Sequence, residues 1–385
     1  EYFLMQFAIQ GAQDNGEFFT PPSIVRTIVN VIEPEHGVVL DPACGSGGMF
    51  VQSSHFIERH GRDAGDNMTF YGQEKTATTI RLAKMNLAVH GLEGDIREAN
   101  TFYEDAHTLY GKCDFVMANP PFNVDMVDAE KVKPDPRLPF GLPGVNKEKK
   151  VSNGNYLWIS YFWSYLNKAG RAGFVMSSQA SSAANTERDV RRKIVETGDV
   201  DVMMSIRGNF FYTRAVPCEL WFFDRGKPKD LRDKVLMLDA RNVFRKVTRK
   251  IYDFSPEQLA NLTAIVWLHR GKKKEYLELV QRYIGSVCHE CAGIPEKLSA
   301  FEQGLSALRE ILDAFGAVVA KNAGVEVAKK SAFAESAGEL KDALKAYGKD
   351  CERVATETDA FQKAYGKKPP ASNEKQLEAQ KEFEP

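Results

Sequence analysis

One unit, a short apolar strand that runs into a glycine-rich loop and a helix, constrains the fold of this 385-residue chain more than any other feature. Residues 38–40 (VVL) are predicted to form a buried strand, residues 41–48 (DPACGSGG) the loop, and residues 49–51 (MFV) the start of the helix. Glycines let a backbone turn sharply and approach a ligand closely. The unit is therefore typical of the nucleotide-binding loops of doubly wound parallel sheets.

A second predicted strand narrows the kind of ligand. Residues 68–72 (MTFYG) form this strand, and Glu74 follows at roughly the position where doubly wound folds place an acid that binds a ribose. The glycine loop departs from the G-x-G-x-x-G pattern, and no G-K-S or G-K-T sequence follows it. These patterns favour a nucleoside without phosphates, and S-adenosylmethionine is the predicted cofactor.

Residues 119–122 (NPPF) stand at the end of the apolar run 115–118 (FVMA). Because proline has a fixed φ and no N–H, the side-chain carbonyl of Asn119 and the backbone carbonyl of Pro120 can form a rigid pair of acceptors. Such a pair can bind both hydrogens of a planar amine and localise its lone pair, which makes a poor nucleophile usable. Phe122 could stack on the ring that carries the amine. A strand followed by a proline-rich turn would also account for these four residues.

The combination of DPACGSGG with NPPF resembles the amino-group DNA methyltransferases. Residues 16–22 (GEFFTPP) resemble the modification subunit, HsdM, of type I restriction-modification systems, and the resemblance extends from about Gly16 to Arg225. It implies the class I S-adenosylmethionine-dependent methyltransferase fold, an α/β fold with a doubly wound, mostly parallel sheet. It also implies an adenine-specific DNA methyltransferase, which transfers a methyl group to the exocyclic amine of a flipped adenine.

The resemblance also assigns site residues. It implies cofactor-binding roles for Glu17, Phe18, Phe19, Thr20, Asp41, Gly45, Ser46, Gly47, Glu74 and Asn100, and catalytic roles for Asn119, Pro120, Pro121 and Phe122. Asn100 stands where the family usually has an acidic residue, but an Asn carbonyl can still accept a hydrogen bond from the cofactor's adenine amine. Phe210 or Phe211 is predicted to touch the target base, although Phe at a strand end is more often part of the core.

Strands and helices alternate from residue 16 to residue 254, which predicts a catalytic domain with a mostly parallel sheet covered on both faces. Residues 1–15 are expected to be the end of an N-terminal helical domain, as in related subunits. Residues 255–385 are rich in Ala, Glu, Lys and Leu, which predicts a helical C-terminal region for subunit contact. An apolar stripe over residues 298–315 could pack on the catalytic domain or on another subunit.

The net charge of −1 does not indicate a nucleic-acid-binding protein, but such binding depends on local charge. Basic residues concentrate in residues 225–250 and 270–274, where they could meet phosphates or form a solvated surface. Residues 123–154 lack periodicity and are predicted to be a flexible flap that orders on DNA, or a tolerated insertion. The resemblance implies four partners: double-stranded DNA, the specificity subunit HsdS, a second modification subunit and the restriction subunit HsdR.

Composition bears on location and metals. The 43% hydrophobic and 27% charged residues are ordinary for a soluble globular protein, and no apolar run or leader indicates a membrane, so a cytoplasmic protein is predicted. The six cysteines are dispersed and expected to be reduced. Cys288 and Cys291 have C-x-x-C spacing, but two further ligands at matching spacing are missing, so no metal is predicted.

Two other functions fit parts of the sequence. Protein glutamine-amide methyltransferases also hold a planar amine with an Asn-Pro-Pro-aromatic motif. The GEFFTPP segment, the basic stretch and the helical C-terminal region favour the DNA enzyme over this alternative. A non-catalytic assembly subunit with a degenerate pocket is the second alternative, and binding of S-adenosylmethionine distinguishes it from an enzyme.

Overall fold

A computed structural model describes residues 20–59, 61, 67–211, 216–249 and 251–365, together with the isolated positions 367, 375, 378 and 381. The chain divides into two compact units, Glu1–Gly271 and Lys272–Pro385. The predicted N-terminal segment 1–15 lies outside the described residues.

The first unit combines a central sheet with helices on both sides. Its described helices are α1 (Pro22–Ile32), α2 (Gly48–Arg59), α3 (Ala77–Val89), α4 (Ala129–Val132), α5 (Asn155–Tyr165), α6 (Gln179–Ser182), α7 (Asn185–Glu196) and α8 (Pro256–His269). Its described strands are β1 (Gly37–Asp41), β2 (Met68–Glu74), β3 (Gly94–Glu98), β4 (Cys113–Ala118), β5 (Val127–Asp128), β6 (Lys150–Val151), β7 (Leu166–Ser177), β8 (Val200–Ile206), β9 (Cys218–Asp224), β10 (Leu236–Asp239), β11 (Arg245–Lys246) and β12 (Tyr252–Asp253).

The main sheet has the strand order β10-β8-β9-β7-β4-β1-β2-β3. Its pairings are parallel except those of β9, which is antiparallel to both β7 and β8. β1 lies between β2 and β4, so the strand order reverses at β1, as it does in doubly wound sheets. The predicted α/β class with a mostly parallel sheet is confirmed.

Both faces of the sheet are buried, which explains the nearly continuous apolar run of β4. Phe115 and Met117 belong to a core cluster that includes residues of α1, α2, α3 and α8. Val116 and Ala118 belong to a second cluster, on the other face, with residues of α5 and α7. Alternate side chains of one strand therefore supply two separate cores.

Helix α8 belongs to the first unit, so the predicted domain boundary after residue 254 differs from the observed boundary after Gly271. Leu262 and Val266 of α8 are buried in the first core cluster. Just beyond α8, Arg270 donates hydrogen bonds to the Asp201 carboxylate at 2.8 Å and to the Val31 carbonyl at 2.6 Å. These contacts attach α8 to the sheet unit.

Residues 123–154 form a packed segment, which is a correction to the predicted flexible flap. The segment contains β5, α4 and β6, and Leu138, Phe140 and Val151 are buried in the second core cluster. Arg137 is 3% exposed, forms an ion pair with Asp135 at 2.6 Å and lies over the ring of Tyr161 of α5 at 4.4 Å. The segment is therefore held by a few separate buried side chains and not by a periodic apolar pattern.

The second unit contains α9 (Lys273–Ala292), α10 (Ile294–Lys321) and α11 (Val327–Tyr365). Phe315 packs on Phe333 at 5.5 Å between ring centroids, and Phe301 packs on Tyr347 at 5.8 Å, so α10 and α11 run antiparallel. Several apolar side chains of α10 nevertheless stay largely exposed, namely Phe301, Leu308, Ile311, Phe315 and Val318. Of the helices that the structure describes, none has the length and apolar character needed to cross a membrane.

Candidate active site

The predicted site residues follow neighbouring strands at one edge of the main sheet. The glycine loop follows β1, Glu74 ends β2, Asn100 follows β3 and Asn119 follows β4. Because these strands are parallel, their carboxyl ends lie at the same edge, on both sides of the point where the strand order reverses. A cavity of about 680 Å³ lies there. Its size is typical of small-molecule sites.

Five predicted residues line this cavity: Gly45, Glu74, Asn100, Asn119 and Pro121. Residues predicted for the cofactor and residues predicted for the reacting amine therefore share one cavity. The remaining described candidates are not among the lining residues: Thr20, Asp41, Ser46, Gly47, Pro120, Phe122, Phe210 and Phe211. Glu17, Phe18 and Phe19 lie outside the described residues.

The glycine loop has the backbone conformation that only glycine adopts easily. Gly45 has a φ of +51° and Gly47 a φ of +76°. The Gly45 N–H donates to the Glu74 carboxylate at 3.2 Å, while the Ser46 carbonyl accepts from Asn86 at 2.9 Å. A side chain at Gly47 would make only ordinary contacts, so this position requires glycine for its φ and not for space.

Asp41 lies beneath the loop, 1% exposed. Its carboxylate accepts from the Ala43 N–H at 3.0 Å, which shapes the start of the loop. Burial raises the pKa of Asp41 from 3.8 to about 8, partly offset by the hydrogen bond from Ala43 and augmented by the nearby Glu74. The buried Asp41 side chain therefore supports the start of the glycine loop through its hydrogen bond with Ala43.

Glu74 binds backbone N–H groups on two sides. One oxygen accepts from Lys75 at 2.8 Å and from Thr76 at 3.1 Å, and the other accepts from Gly45. The Asn100 side-chain oxygen accepts from the Phe102 N–H at 3.1 Å. Both side chains are thus fixed at the cavity wall, where an oxygen can accept further hydrogen bonds from a ligand.

Gln73 is a site-supporting residue that the sequence analysis missed. It is fully buried, and its side-chain nitrogen donates to Thr101 at 3.0 Å while its oxygen accepts from the Ala106 N–H at 3.0 Å. The Thr101 hydroxyl in turn donates to the Pro42 carbonyl at 2.5 Å. Gln73 therefore joins the loops that follow β1 and β3. A polar side chain at a buried position of β2 is the sequence feature from which Gln73 could have been recognised.

Asn119 has a fixed orientation with one open acceptor. Its side-chain nitrogen donates to the Thr20 hydroxyl at 2.9 Å. Its oxygen is buried, and within the described residues no donor reaches it. Pro120 is buried, Pro121 lines the cavity, and Phe122 packs against the first core cluster. A buried carbonyl without a donor is costly, and a ligand amine would satisfy it.

The predicted base-contacting aromatics are in the core. Phe210 is fully buried and packs on Phe254 at 4.7 Å between ring centroids, and Phe211 is 4% exposed in the same cluster. The structure therefore does not support contact of either ring with a target base, because both are already covered by apolar side chains. Their position after β8 matches the sequence pattern, but their burial indicates packing.

The basic stretch 225–250 is divided between opposite edges of the sheet. β9 is antiparallel, so Arg225 and the residues up to Lys234 lie at the amino edge, where the Arg225 N–H donates to the Gly170 carbonyl at 3.0 Å. β10 then returns the chain to the carboxyl edge, where Lys246 and Arg249 are exposed. Only the second half shares an edge with the cavity.

The described cysteines are free thiols, and the groups that bind metals are scattered among the described residues. Burial raises the pKa of the Cys44 thiol well above its usual range, so it remains protonated in the loop. Cys288 is buried and Cys291 half-buried on α9, both as free thiols. In the part of the chain that the structure describes, no three His, Cys, Asp or Glu side chains are grouped as metal ligands.

A doubly wound sheet with a cavity at its reversal point, bordered by Asn119 and Pro121, defines the class I methyltransferase fold. The sequence model described as N-6 DNA Methylase matches residues 1–282, and the chain belongs to this family. The family resemblance seen in the sequence is thus confirmed.

Relatives and a solved structure agree with this assignment. The chain is 39% identical over 254 residues to the type I restriction enzyme MjaIX methylase subunit of Methanocaldococcus jannaschii, covering 65% of this chain and 44% of that protein. It is 33% identical over 332 residues to the HindI methylase subunit of Haemophilus influenzae, covering 80% of this chain and 72% of that protein. The type I methyltransferase subunit from Streptococcus thermophilus shares the fold, with a TM-score of 0.59 at 20% identity over 66% of this chain and 53% of that one.

Proposed function

We propose that this chain is the methyltransferase part of a type I modification subunit and methylates the exocyclic amine of an adenine in DNA. The observation that carries the proposal is the buried oxygen of Asn119, which faces no donor among the described residues although its nitrogen is held by Thr20. An acceptor held in this state is suited to the amine of a flipped base. Adenine methylation, the DNA substrate and the partner subunits of the whole protein are all part of this proposal.

S-adenosylmethionine is the proposed cofactor, and the cavity fits it. Glu74 would hold the ribose, the wall at Asn100 would receive the adenine, and the loop at Gly45 would lie along the methionine part. Asp41, Ser46 and Gly47 would act by shaping that loop, and Thr20 by orienting Asn119. When bound, the cofactor supplies a methyl group on a positively charged sulfur.

The chain's residues would act mainly by position. The Asn119 oxygen and the Pro120 carbonyl accept hydrogen bonds from the adenine amine, which localises the nitrogen lone pair and aims it at the methyl group. Phe122 would have to turn from its packed position to stack on the base. A general base is not demanded, because the proton becomes acidic only after the new bond forms. Positioning then supplies most of the rate.

Double-stranded DNA and other subunits are the proposed partners. A specificity subunit, a second modification subunit and a restriction subunit would complete the assembly in the cytoplasm, as the family resemblance implies. The exposed apolar side chains of α10 give the second unit a surface that helices of another subunit could cover.

The test is methyl transfer from labelled S-adenosylmethionine by the full-length protein, purified with any subunits that accompany it. We expect label in DNA and little in added protein. Asn119→Ala should lower kcat by at least about a hundredfold while cofactor affinity stays within about threefold, because the residue binds the amine. Label in glutamine side chains would support the protein-methylating alternative. Lack of cofactor binding would support an assembly role.

A further inference from the structure

A pair of asparagines, the buried Asn155 and the exposed Asn123, holds the turn that follows the acceptor motif. Asn155, the first residue of α5, is 2% exposed. Its side-chain oxygen accepts from the Asn123 N–H at 2.8 Å, and its side-chain nitrogen donates to the Asn123 side-chain oxygen at 2.8 Å. One side chain therefore binds both the backbone and the side chain of the residue directly after Phe122.

The conformation of Asn123 explains why the turn needs this support. Asn123 has a φ of +54°, which is the left-handed region that Asn tolerates better than most residues but that still costs energy. The two preceding prolines have fixed φ angles, so the motif has few torsions left to adjust. Fixing Asn123 therefore fixes the direction in which residues 119–122 leave β4.

Neighbouring residues extend the same support to the cavity wall. The Asn153 side chain donates to the Asn123 oxygen at 3.2 Å and accepts from the Asn155 N–H at 2.9 Å. The Gly154 N–H donates to the carbonyl of Val124, a lining residue, at 2.7 Å. A Cβ at Gly154 would lie 3.2 Å from both the Val124 oxygen and the ring of Phe102. Residues 153–155 thus join the acceptor turn to the wall.

We propose that Asn155 is a positioning residue for methyl transfer, which holds the Asn119 and Pro120 acceptors in register with the cavity. This inference rests on the proposed function of those acceptors. Asn155 binds Asn123, and Asn123 is not one of the described residues that line the cavity. Loss of the Asn155 side chain should therefore displace the Asn119 and Pro120 acceptors more than the part of the wall that binds the cofactor. A displacement of about 1 Å in a reacting group can cost about a hundredfold in rate.

Three variants separate positioning from general stability. Asn155→Ala removes both bonds to Asn123. Asn155→Asp keeps the acceptor for the Asn123 N–H but places a carboxylate oxygen against the Asn123 oxygen. Asn167→Ala is the matched control, because it removes a 2.7 Å hydrogen bond to Asp114 at the opposite edge of the sheet.

The variants are compared in the full-length protein with its accompanying subunits, by kcat for DNA methylation, cofactor dissociation constant and thermal midpoint. Asn155→Ala and Asn155→Asp should lower kcat at least about tenfold with cofactor affinity within about threefold. Asn167→Ala should stay within about twofold of the wild-type kcat. Should Asn155→Ala fail to fold, the comparison of Asn155→Asp with Asn167→Ala decides.

Two results would overturn the positioning role. One is a folded Asn155 variant with wild-type kcat, and the other is an equal loss of kcat and cofactor affinity, which would place Asn155 in support of the cofactor wall. Both leave the proposed function intact, because that function is judged on the wild-type protein. A wild-type protein that binds the cofactor and does not methylate DNA would instead refute the proposed function.

Discussion

At the scale of single residues, the site depends on polar groups whose orientations are set by neighbours. An amide can present either its oxygen or its nitrogen to a ligand, and in this structure the Asn119 nitrogen donates to the Thr20 hydroxyl, which leaves the oxygen for a ligand. The GEFFTPP segment that contains Thr20 is 99 residues from Asn119 along the chain. Thr20 and the acceptor motif are therefore in contact, which neither sequence shows alone.

Asp41 gives a prediction about pH. Burial raises its pKa from 3.8 to about 8 in the folded state, so folding favours the protonated carboxyl group. The stability that this proton supports is complete below about pH 4 and is lost as pH rises to about 8. Asp41→Asn cannot ionise and should gain stability relative to wild type over this interval, by more than about 2 kcal/mol. Urea unfolding of both proteins across the interval measures the difference.

Carboxyl groups that do not interact with Asp41 titrate alike in both proteins, so their titration cancels in that comparison, whereas Glu74 is coupled to Asp41 and contributes to the difference. Asn at position 41 also keeps an oxygen to accept from the Ala43 N–H, which leaves the loop geometry in place. A stability difference that stays constant from pH 4 to pH 8 would show that Asp41 is already ionised in the folded protein.

The sequence predicted those site residues that lie next to the end of a strand, and it did not predict those whose partners are distant along the chain. Gly45, Glu74, Asn100 and Asn119 each follow a strand closely, so their convergence could be predicted from the parallel sheet. Asn155 could not, because its partner Asn123 is 32 residues away and nothing near it in the sequence indicates the contact. Phe210 is the opposite case, since its sequence position fits base contact while its burial depends on a residue distant in the sequence, Phe254.

At the scale of elements, the segment 123–154 shows how an aperiodic sequence can still pack. Helices and strands were predictable because apolar residues recur at regular spacing, and the predicted strand at 68–72 lies within β2 (Met68–Glu74). In segment 123–154, one buried arginine holds the chain in place instead of a periodic set of apolar residues. Arg137 donates hydrogen bonds to Asp135, to the Tyr165 hydroxyl and to a backbone carbonyl. A charged residue gives no apolar signal, so its burial could not be predicted.

Arg137→Ala should therefore loosen the segment and lower the free energy of unfolding by roughly 3 kcal/mol or more, because it leaves Asp135 without its partner in a mostly buried site. Arg241→Ala is the matched control. Arg241 makes the same two-residue pairing with Asp239, but both side chains are more than half exposed, so little change is expected. Thermal unfolding and limited proteolysis measure the effect, and equal responses of the two variants would contradict it.

At the scale of the whole first unit, the sheet places basic side chains on two edges with different surroundings. The stretch 225–250 looked like one patch in the sequence, and β10 separates it into two groups. Sequence alone could not reveal this division, because it depends on the antiparallel direction of β9, whose apolar residues resemble those of its parallel neighbours. DNA that delivers a base to the cavity must approach the carboxyl edge, so the two groups should contribute unequally.

Reversing the charge of Lys246 and Arg249 together to Glu should therefore weaken DNA binding, while the same change at Lys229 and Lys234 on the amino edge should not. All four side chains are exposed, and both double variants change the net charge equally, so long-range effects on DNA are matched. Fluorescence anisotropy with duplex DNA over a range of salt concentrations is the measurement. For each phosphate that the protein no longer neutralises, the slope of log affinity against log salt should become shallower by about 0.9. Equal weakening by both variants would mean that DNA affinity depends only on the net charge of the protein. It would contradict binding of the duplex at the carboxyl edge of the sheet.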